Sequence, residues 1–280
     1  MHTVTYHQAT VDGLQLFYRQ AGDATAPVIL LLHGFPSSSH MFRDLIPLLA
    51  ERYHVIAPDY PGFGHSSHPT PESFEYSFDH LSVVMEHFID HLQLRRFHLY
   101  VQDYGGPIGF RIAVRRPELI ASLLIQNANA YTEGLGPFVQ RVGALQDAGD
   151  WAGMSALFDY MISEDGIKDD YMHGAKNPAR ISPDAWKTDA SFMNTAIQRT
   201  LFANYKTNFP LYPVWQAYLR QYQPRTLITW GKHDRIFPGE GAVAYLKDLP
   251  EAELHLLDGG HFVLEEYHRE VAALIRKFIG

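Results

Sequence analysis

The stretch V-Q-D-Y-G-G at residues 101–106 decides how this chain is interpreted. It follows the apolar run F-H-L-Y and precedes I-G-F-R-I-A-V, and this pattern predicts a strand, a tight turn and a helix. The tip of such a turn is a place where a nucleophile is held exposed, and the residue there is usually serine. Here it is Asp103, which raises the question of what a carboxylate does at that position.

Short apolar runs alternate with helical patterns on both sides of this turn. A hairpin joined by D-G is predicted first, in residues 4–19, because this dipeptide favours a tight turn. Continuous runs rich in Val, Ile and Leu then predict strands buried on both faces, as in a parallel sheet. These runs are P-V-I-L-L-L-H, H-V-I-A-P, F-H-L-Y-V-Q, A-S-L-L-I-Q, R-T-L-I-T-W and A-E-L-H-L-L. With helices predicted near 78–92, 106–116 and 265–279, the fold class is α/β with a mostly parallel central sheet.

The strand rhythm stops in the middle of the chain. From about residue 131 to residue 211 there are helical patches with scattered Trp, Met, Phe and Tyr, and no convincing buried strand. We therefore predict a helical cap at 131–211, inserted into a core formed by 1–130 and 212–280.

Composition excludes several classes of function. The chain has 280 residues, a formal net charge of -8 and no cysteine, so disulfides, thiol catalysis and thiolate metal sites are excluded. No basic run offers a site for nucleic acid or an anionic membrane. No signal peptide or membrane-spanning run is visible, so we expect a cytoplasmic protein. His87 and His91 lack a nearby third ligand and the glycines do not form G-x-G-x-x-G, so we expect neither a metal nor another cofactor.

Three polar residues each follow a predicted strand. They are Asp103, Asp234 and His261, and Asp258 is a competitor of Asp234 for the acidic position. Because catalytic groups in open parallel sheets gather beyond the carboxyl ends of the strands, these side chains are predicted to meet at one edge. Their order along the chain is nucleophile, acid and histidine.

Together with H-G-F-P at residues 33–36, these residues resemble the α/β-hydrolase superfamily over nearly the whole core. An aspartate at the turn resembles two branches, the epoxide hydrolases and the haloalkane dehalogenases. V-Q-D is similar to some dehalogenases, whereas H-G-F-P is similar to epoxide hydrolases. The two motifs therefore favour different branches.

The resemblance implies a chemistry that suits a carboxylate. Asp103 is ionised near neutral pH and can attack a saturated carbon without a base, which gives an ester. A water deprotonated by His261 then hydrolyses the ester, while Asp234 orients the imidazole. The family pattern places the oxyanion hole at the backbone N–H groups of Phe35 and Tyr104.

The resemblance also assigns roles in the cap. In epoxide hydrolases cap tyrosines donate to the epoxide oxygen, and the stretch A-N-Y-K-T-N at 203–208 makes Tyr205 the ring-opening candidate. Trp151 is a candidate for substrate binding, where a partner tyrosine or a halide-binding tryptophan is expected. The second tyrosine stays open, with Tyr131 and Tyr160 as alternatives.

The leading hypothesis is an epoxide hydrolase that acts on a small, apolar substrate. A haloalkane dehalogenase is the alternative, but many dehalogenases carry tryptophan and asparagine where this chain has Tyr104 and Phe35, so its halide site is atypical. Fluoroacetate dehalogenases place their catalytic acid after the strand that corresponds to A-S-L-L-I-Q, where this chain has Asn127 and Asn129. Small haloacids are therefore poor candidate substrates. A ligand-binding protein on the same scaffold is a third reading, against which the complete set of candidate catalytic residues argues.

Overall fold

An eight-stranded sheet forms the centre of the computed structural model, which describes residues 3–280. The strands are β1 Thr5–Val11, β2 Leu14–Ala21, β3 Val28–Leu32, β4 His54–Pro58, β5 Phe97–Gln102, β6 Ile120–Gln126, β7 Thr226–Gly231 and β8 Glu253–Leu257. Their order across the sheet is β1-β2-β4-β3-β5-β6-β7-β8. The pairs β1–β2 and β2–β4 are antiparallel and the others are parallel. The predicted fold class is therefore confirmed.

Helices cover the sheet and fill the long connection between β6 and β7. The helices are α1 Ile46–Leu49, α2 Phe78–His91, α3 Gly105–Arg115, α4 Pro137–Asp147, α5 Trp151–Met161, α6 Glu164–Met172, α7 Pro183–Ser191, α8 Thr195–Asn204, α9 Tyr212–Tyr222, α10 Gly239–Ala244 and α11 Leu264–Ile279. A 3₁₀ segment, Tyr205–Leu211, joins α8 to α9. Within residues 3–280 no helix has the length and apolar character needed to cross a membrane.

The continuous apolar runs in the sequence arise because helices pack on both faces of the sheet. In β3, Leu30 and Leu32 face a core shared with α2 and α3, while Ile29 and Leu31 face a second core shared with α11. All four side chains are fully buried. Both faces therefore require apolar residues, and the alternation typical of a half-exposed strand is absent from β3.

The turn between β5 and α3 is as sharp as the sequence predicts. Asp103 has φ of 46°, a left-handed conformation that is uncommon outside glycine. Gly105 lies directly on the backbone of β3, and a Cβ at this position would overlap with the carbonyl group of Leu32. The missing side chain therefore allows α3 to begin against the sheet and brings Asp103 to its carboxyl edge.

Helices α4 to α8 all lie between β6 and β7, inside the range 131–211; the division of the chain into a core and a cap stays a prediction. This helical segment is anchored beside the carboxyl edge of the sheet. The Tyr171 hydroxyl donates to Asp189 at 2.6 Å, and the Ser37 hydroxyl, from the loop after β3, also donates to Asp189 at 3.3 Å. The Tyr171 ring stacks on Phe262, next to His261, with 3.8 Å between the ring centroids.

Candidate active site

The two carboxylate oxygens of Asp103 have different surroundings. Oδ1 accepts a hydrogen bond from the backbone N–H of Phe35 at 2.7 Å, and the backbone N–H of Tyr104 also donates to this carboxylate. Oδ2 lies 3.8 Å from Nε2 of His261, beyond hydrogen-bond distance. One oxygen is therefore fixed by the backbone, and the other keeps lone pairs available to a bound molecule.

Asp103 is buried, and burial raises the pKa of its carboxyl to about 6. The charge of His261 and the two backbone N–H groups oppose this shift, because they stabilise the ionised form. The carboxylate is consequently ionised above pH 6, although it is only 5% exposed.

Asp234 orients the imidazole of His261. Nδ1 of His261 lies 2.7 Å from Oδ2 of Asp234, so the proton on Nδ1 is donated to the carboxylate and Nε2 faces Asp103. The other oxygen of Asp234 accepts from the backbone N–H groups of Ile236, at 2.7 Å, and Phe237, at 3.1 Å. The structure thus brings together the three residues that the sequence predicts to meet.

The surrounding carboxylates favour a charged His261. Burial lowers the pKa of this imidazole, but Asp234, Asp103 and the buried Asp170 outweigh it and raise the pKa to about 9. The resting site near neutral pH therefore pairs an imidazolium with the Asp103 carboxylate. Any reaction that removes the charge of Asp103 also removes one of the groups that raise the pKa of His261.

Asp258 and His87, the first a competitor for the acidic position and the second not expected to bind a metal, lie away from this site. Asp258, the competitor for the acid, is bound at the surface by Lys232 at 2.9 Å and by His233 at 2.8 Å. His87 contacts Asp12 at 2.7 Å. Among residues 3–280, no group of three or more His, Cys, Asp or Glu side chains is arranged to hold a metal ion.

Two buried amides in the site were not assigned a function from the sequence. Asn127, directly after β6, donates through Nδ2 to Oδ2 of Asp234 at 2.8 Å, and its backbone carbonyl accepts from the N–H of Asp103 at 3.2 Å. Gln102, the last residue of β5, places its amide nitrogen 3.0 Å from Nε2 of His261. Their position at strand ends, beside the candidate residues, is the signal that could have identified them.

A mostly apolar cavity opens above Asp103. Its walls come from the sheet edge, the helical segment and the loop after β7; the lining residues are Phe35, Asp103, Tyr104, Phe138, Val139, Val142, Gly143, Gln146, Met161, Phe202, Tyr205, Lys206, Phe209, Ile236 and Phe237. The polar groups of Asp103 and Tyr205 therefore share a cavity with many hydrocarbon side chains. This composition suits a small ligand with an apolar body and a polar reacting end.

Tyr205 is held among aromatic rings and beside a second phenol. Its ring stacks on that of Tyr104, with 5.8 Å between centroids. Its hydroxyl is hydrogen-bonded with Tyr212, which also accepts from Nδ2 of Asn129 at 3.3 Å. Burial raises the pKa of Tyr205 well above its usual range, as do the phenol of Tyr212 and the charge of Asp103. Tyr205 is therefore a neutral proton donor at all ordinary pH values.

The structure does not bring the other predicted cap residues to this cavity. Trp151 begins α5 with 68% of its surface exposed, and it is absent from the cavity lining. Tyr160 is half exposed, and the Tyr131 hydroxyl donates to Asp248 at 2.7 Å. Tyr212, which the sequence did not single out, is the phenol that lies beside Tyr205.

Comparisons with known proteins agree with this architecture. Residues 27–267 match a family model described as alpha/beta hydrolase fold. An uncharacterized hydrolase of Saccharomyces cerevisiae is 40% identical over 98% of this chain and 96% of its own length. Haloalkane dehalogenase 2 of Mycobacterium tuberculosis is 41% identical over 38% of this chain and 36% of its own. The solved structure of the epoxide hydrolase CorEH superposes with a TM-score of 0.79 at 21% identity and covers 99% of both chains, a likeness in fold.

The cavity wall formed by α4 generates a prediction about ligand size. Gly143 lies inside α4, where glycine costs about 0.5–1 kcal/mol relative to alanine, and no atom lies within 4 Å of a Cβ built there. We expect Gly143→Phe to fill this space and weaken n-octanol binding about 10-fold, the cost of excluding one or two methylenes, with little effect on n-butanol. Thermal-shift titrations measure both affinities.

The neighbouring exposed residue provides the control for that measurement. Ala144→Phe adds the same side chain to the outer face of α4 and should leave both affinities unchanged. Equal n-octanol binding by Gly143→Phe and the unmodified protein would contradict the assignment of α4 as a wall of the ligand site.

Proposed function

The chain belongs to the alpha/beta hydrolase fold family, and from this premise we propose that it is an epoxide hydrolase that forms a covalent ester on Asp103. The observation that carries the proposal is the asymmetric carboxylate: Oδ1 is bound by the backbone N–H of Phe35, while Oδ2 faces His261 at 3.8 Å, beyond hydrogen-bond distance. This carboxylate lies in a cavity that is also lined by Tyr205.

In the first step, Oδ2 of Asp103 attacks a ring carbon of the epoxide. The C–O bond of the strained ring breaks, and its electron pair passes to the ring oxygen. The Tyr205 hydroxyl gives its proton to this oxygen, because an alkoxide is a stronger base than a phenolate. The products are a hydroxyalkyl ester of Asp103 and a Tyr205 phenolate. Because the neighbouring Tyr212 phenol raises the pKa of Tyr205, this phenolate readily takes up the proton that ester hydrolysis leaves on the Asp103 carboxyl.

In the second step, water hydrolyses the ester. Its oxygen attacks Cγ of Asp103 while Nε2 of His261 takes a proton, and Asp234 stabilises the imidazolium. The negative charge develops on Oδ1, to which the backbone N–H of Phe35 already points. Because esterification cancels the charge of Asp103, it lowers the pKa of His261 and so promotes the neutral base that this step requires.

Haloalkane dehalogenation is the second candidate. The local match to haloalkane dehalogenase 2 favours it, and the first step on an alkyl halide would use the same carboxylate. A departing halide, however, needs hydrogen-bond donors that stabilise an anion. Within residues 3–280, the lining of the cavity includes neither a tryptophan nor an asparagine side chain. The side-chain donors that line it are Gln146, Tyr205 and Lys206, and of these the neutral Tyr205 phenol, stacked on Tyr104, favours protonation of an oxygen leaving group.

Trapping of the ester tests the covalent mechanism. His261→Gln removes the base for the second step, so we expect diol formation to fall about 10³-fold while an ester accumulates on Asp103. After incubation with styrene oxide, intact-mass spectrometry should show one added substrate mass, and peptide mapping should locate it on Asp103. His87→Gln, at an exposed histidine, is the matched control and should turn over normally. An adduct on another residue, or none with any epoxide of a varied panel, would overturn the proposal.

The pH dependence of ester formation tests the charge state of Asp103. The carboxylate must be ionised to attack, so the rate should rise with pH through a midpoint near 6. In His261→Gln the positive charge that lowers the pKa of Asp103 is lost, so this midpoint should move to higher pH. Quenched-flow mass spectrometry measures the rate in both proteins. A midpoint that stays in place or moves to lower pH would contradict the role of Asp103.

Tyr205→Phe distinguishes the two substrate classes. Without the phenolic proton, ester formation from styrene oxide should slow about 10²-fold. Ester formation from n-hexyl bromide, measured in the same His261→Gln background, should change little because bromide leaves without a proton. Tyr222→Phe, at a half-exposed tyrosine outside the cavity, is the control. An equal loss with both substrates would show that Tyr205 shapes the cavity and does not act as an acid.

A further inference from the structure

Gln102 contacts the ring nitrogen that performs the base chemistry. It is fully buried, and its amide nitrogen lies 3.0 Å from Nε2 of His261. The Asp103 carboxylate, at 3.8 Å, is too distant to hydrogen-bond the same ring nitrogen. The amide of Gln102 is therefore the hydrogen-bond partner of Nε2 in the free protein, on the side of the ring opposite Asp234.

The other end of this amide is a buried acceptor without a partner. Oε1 of Gln102 is inaccessible and makes no hydrogen bond with any group in residues 3–280. It lies beside Gly34, where a Cβ would overlap with Oε1 and with the side chain of Asp103. A buried carbonyl left unpaired costs about 1–3 kcal/mol, and a half-turn of the Gln102 amide removes this cost when His261 is charged, because Oε1 then accepts from the proton on Nε2.

Ester hydrolysis changes the hydrogen bond that Nε2 of His261 needs. Nε2 must be a free acceptor when it takes a proton from the water, and it is a donor once the imidazolium has formed. The Gln102 amide carries a donor and an acceptor on one planar group, which a half-turn about its Cγ–Cδ bond exchanges, so it can present its carbonyl oxygen to the imidazolium.

We propose that Gln102 is a positioning residue for hydrolysis of the ester, an inference that rests on the proposed function. The Nε2 lone pair stays available to the attacking water, and once Nε2 has taken a proton, the carbonyl oxygen of Gln102 accepts from it and holds the imidazolium in place. In the step itself, the water oxygen bonds to Cγ of Asp103 and one proton passes to Nε2 of His261. The bond from Cγ to the alkyl oxygen then breaks, and the imidazolium returns the proton to that oxygen, which releases the diol. The second proton of the water, left on the Asp103 carboxyl, passes to the Tyr205 phenolate, and this restores the carboxylate and the phenol.

Gln102→Met tests this role because methionine has a similar length and volume but has no amide. We expect ester formation from styrene oxide within about 3-fold of the unmodified rate and ester hydrolysis slower by about 10²-fold, the cost of a misplaced reactant. Rapid-quench mass spectrometry should then show the ester accumulating although His261 is intact. Gln126→Met is the matched control: Gln126 ends β6 in register with Gln102, is equally buried, and bonds Tyr100 rather than the site. It should hydrolyse the ester at the normal rate.

A second variant and a second readout separate the outcomes. Gln102→Glu keeps the acceptor and adds a charge beside His261, so the pH midpoint of hydrolysis should move up. Hydrolysis at the normal rate in Gln102→Met, or equal slowing of both steps, would overturn the positioning role. If no protein forms an ester, the proposed function fails instead.

Nitrogen NMR of His261 in the free proteins then tests the contact between Gln102 and His261 without any substrate. The Nε2 resonance and the titration midpoint of His261 should differ in Gln102→Met, and identical spectra would overturn the inference.

Discussion

The structure depends on holding an ionised carboxylate in a place from which water is largely excluded. Removing such a group from water costs several kcal/mol unless hydrogen bonds and opposite charge compensate. At Asp103 the hydrogen bonds come from the backbone N–H groups of Phe35 and Tyr104, and the opposite charge comes from the imidazole of His261. The compensation is incomplete, since the pKa of Asp103 stays raised to about 6. A carboxylate stabilised in this partial way remains more nucleophilic than one fully hydrated or saturated with donors.

The same constraint explains why Asn127 is central although it has no titratable group. Its backbone carbonyl accepts from the N–H of Asp103, and its side chain donates to Asp234 at 2.8 Å and accepts from the N–H of Gly231 at 3.0 Å. One residue thus connects the ends of three adjacent strands, β5, β6 and β7. Because parallel pairing fixes the relative positions of these strands, the register of the sheet sets the distances in the site.

The sequence was sufficient for features that depend on the sheet and its edge. Strand periodicity, the V-Q-D-Y-G-G turn and the order of Asp103, Asp234 and His261 predicted that these side chains meet, as they do in the structure, because the carboxyl ends of parallel strands must lie together. The helical segment was different. Whether Trp151 lines the cavity, and whether Tyr212 lies beside Tyr205, depends on how α5 and α9 pack, and that packing leaves no signal in local periodicity. A role for Gln102 was not predicted, because the sequence does not show what the amide of a glutamine at a strand end contacts. Such an amide can equally well bond the backbone or a histidine of the site.

The apolar cavity itself bears on which leaving group the site can accept. A halide departs as an anion and must be held by donors until it escapes, whereas an epoxide oxygen is neutralised when it takes a proton. In a cavity lined by Phe138, Val142, Ile236 and similar side chains, an uncompensated anion is costly, and proton transfer avoids that cost. In the proposed mechanism, the burial that keeps Tyr205 protonated leaves it able to stabilise the leaving group by proton donation. One enclosed, hydrocarbon-lined space therefore has two effects. It raises the pKa of Asp103, and it favours an oxygen leaving group over a halide.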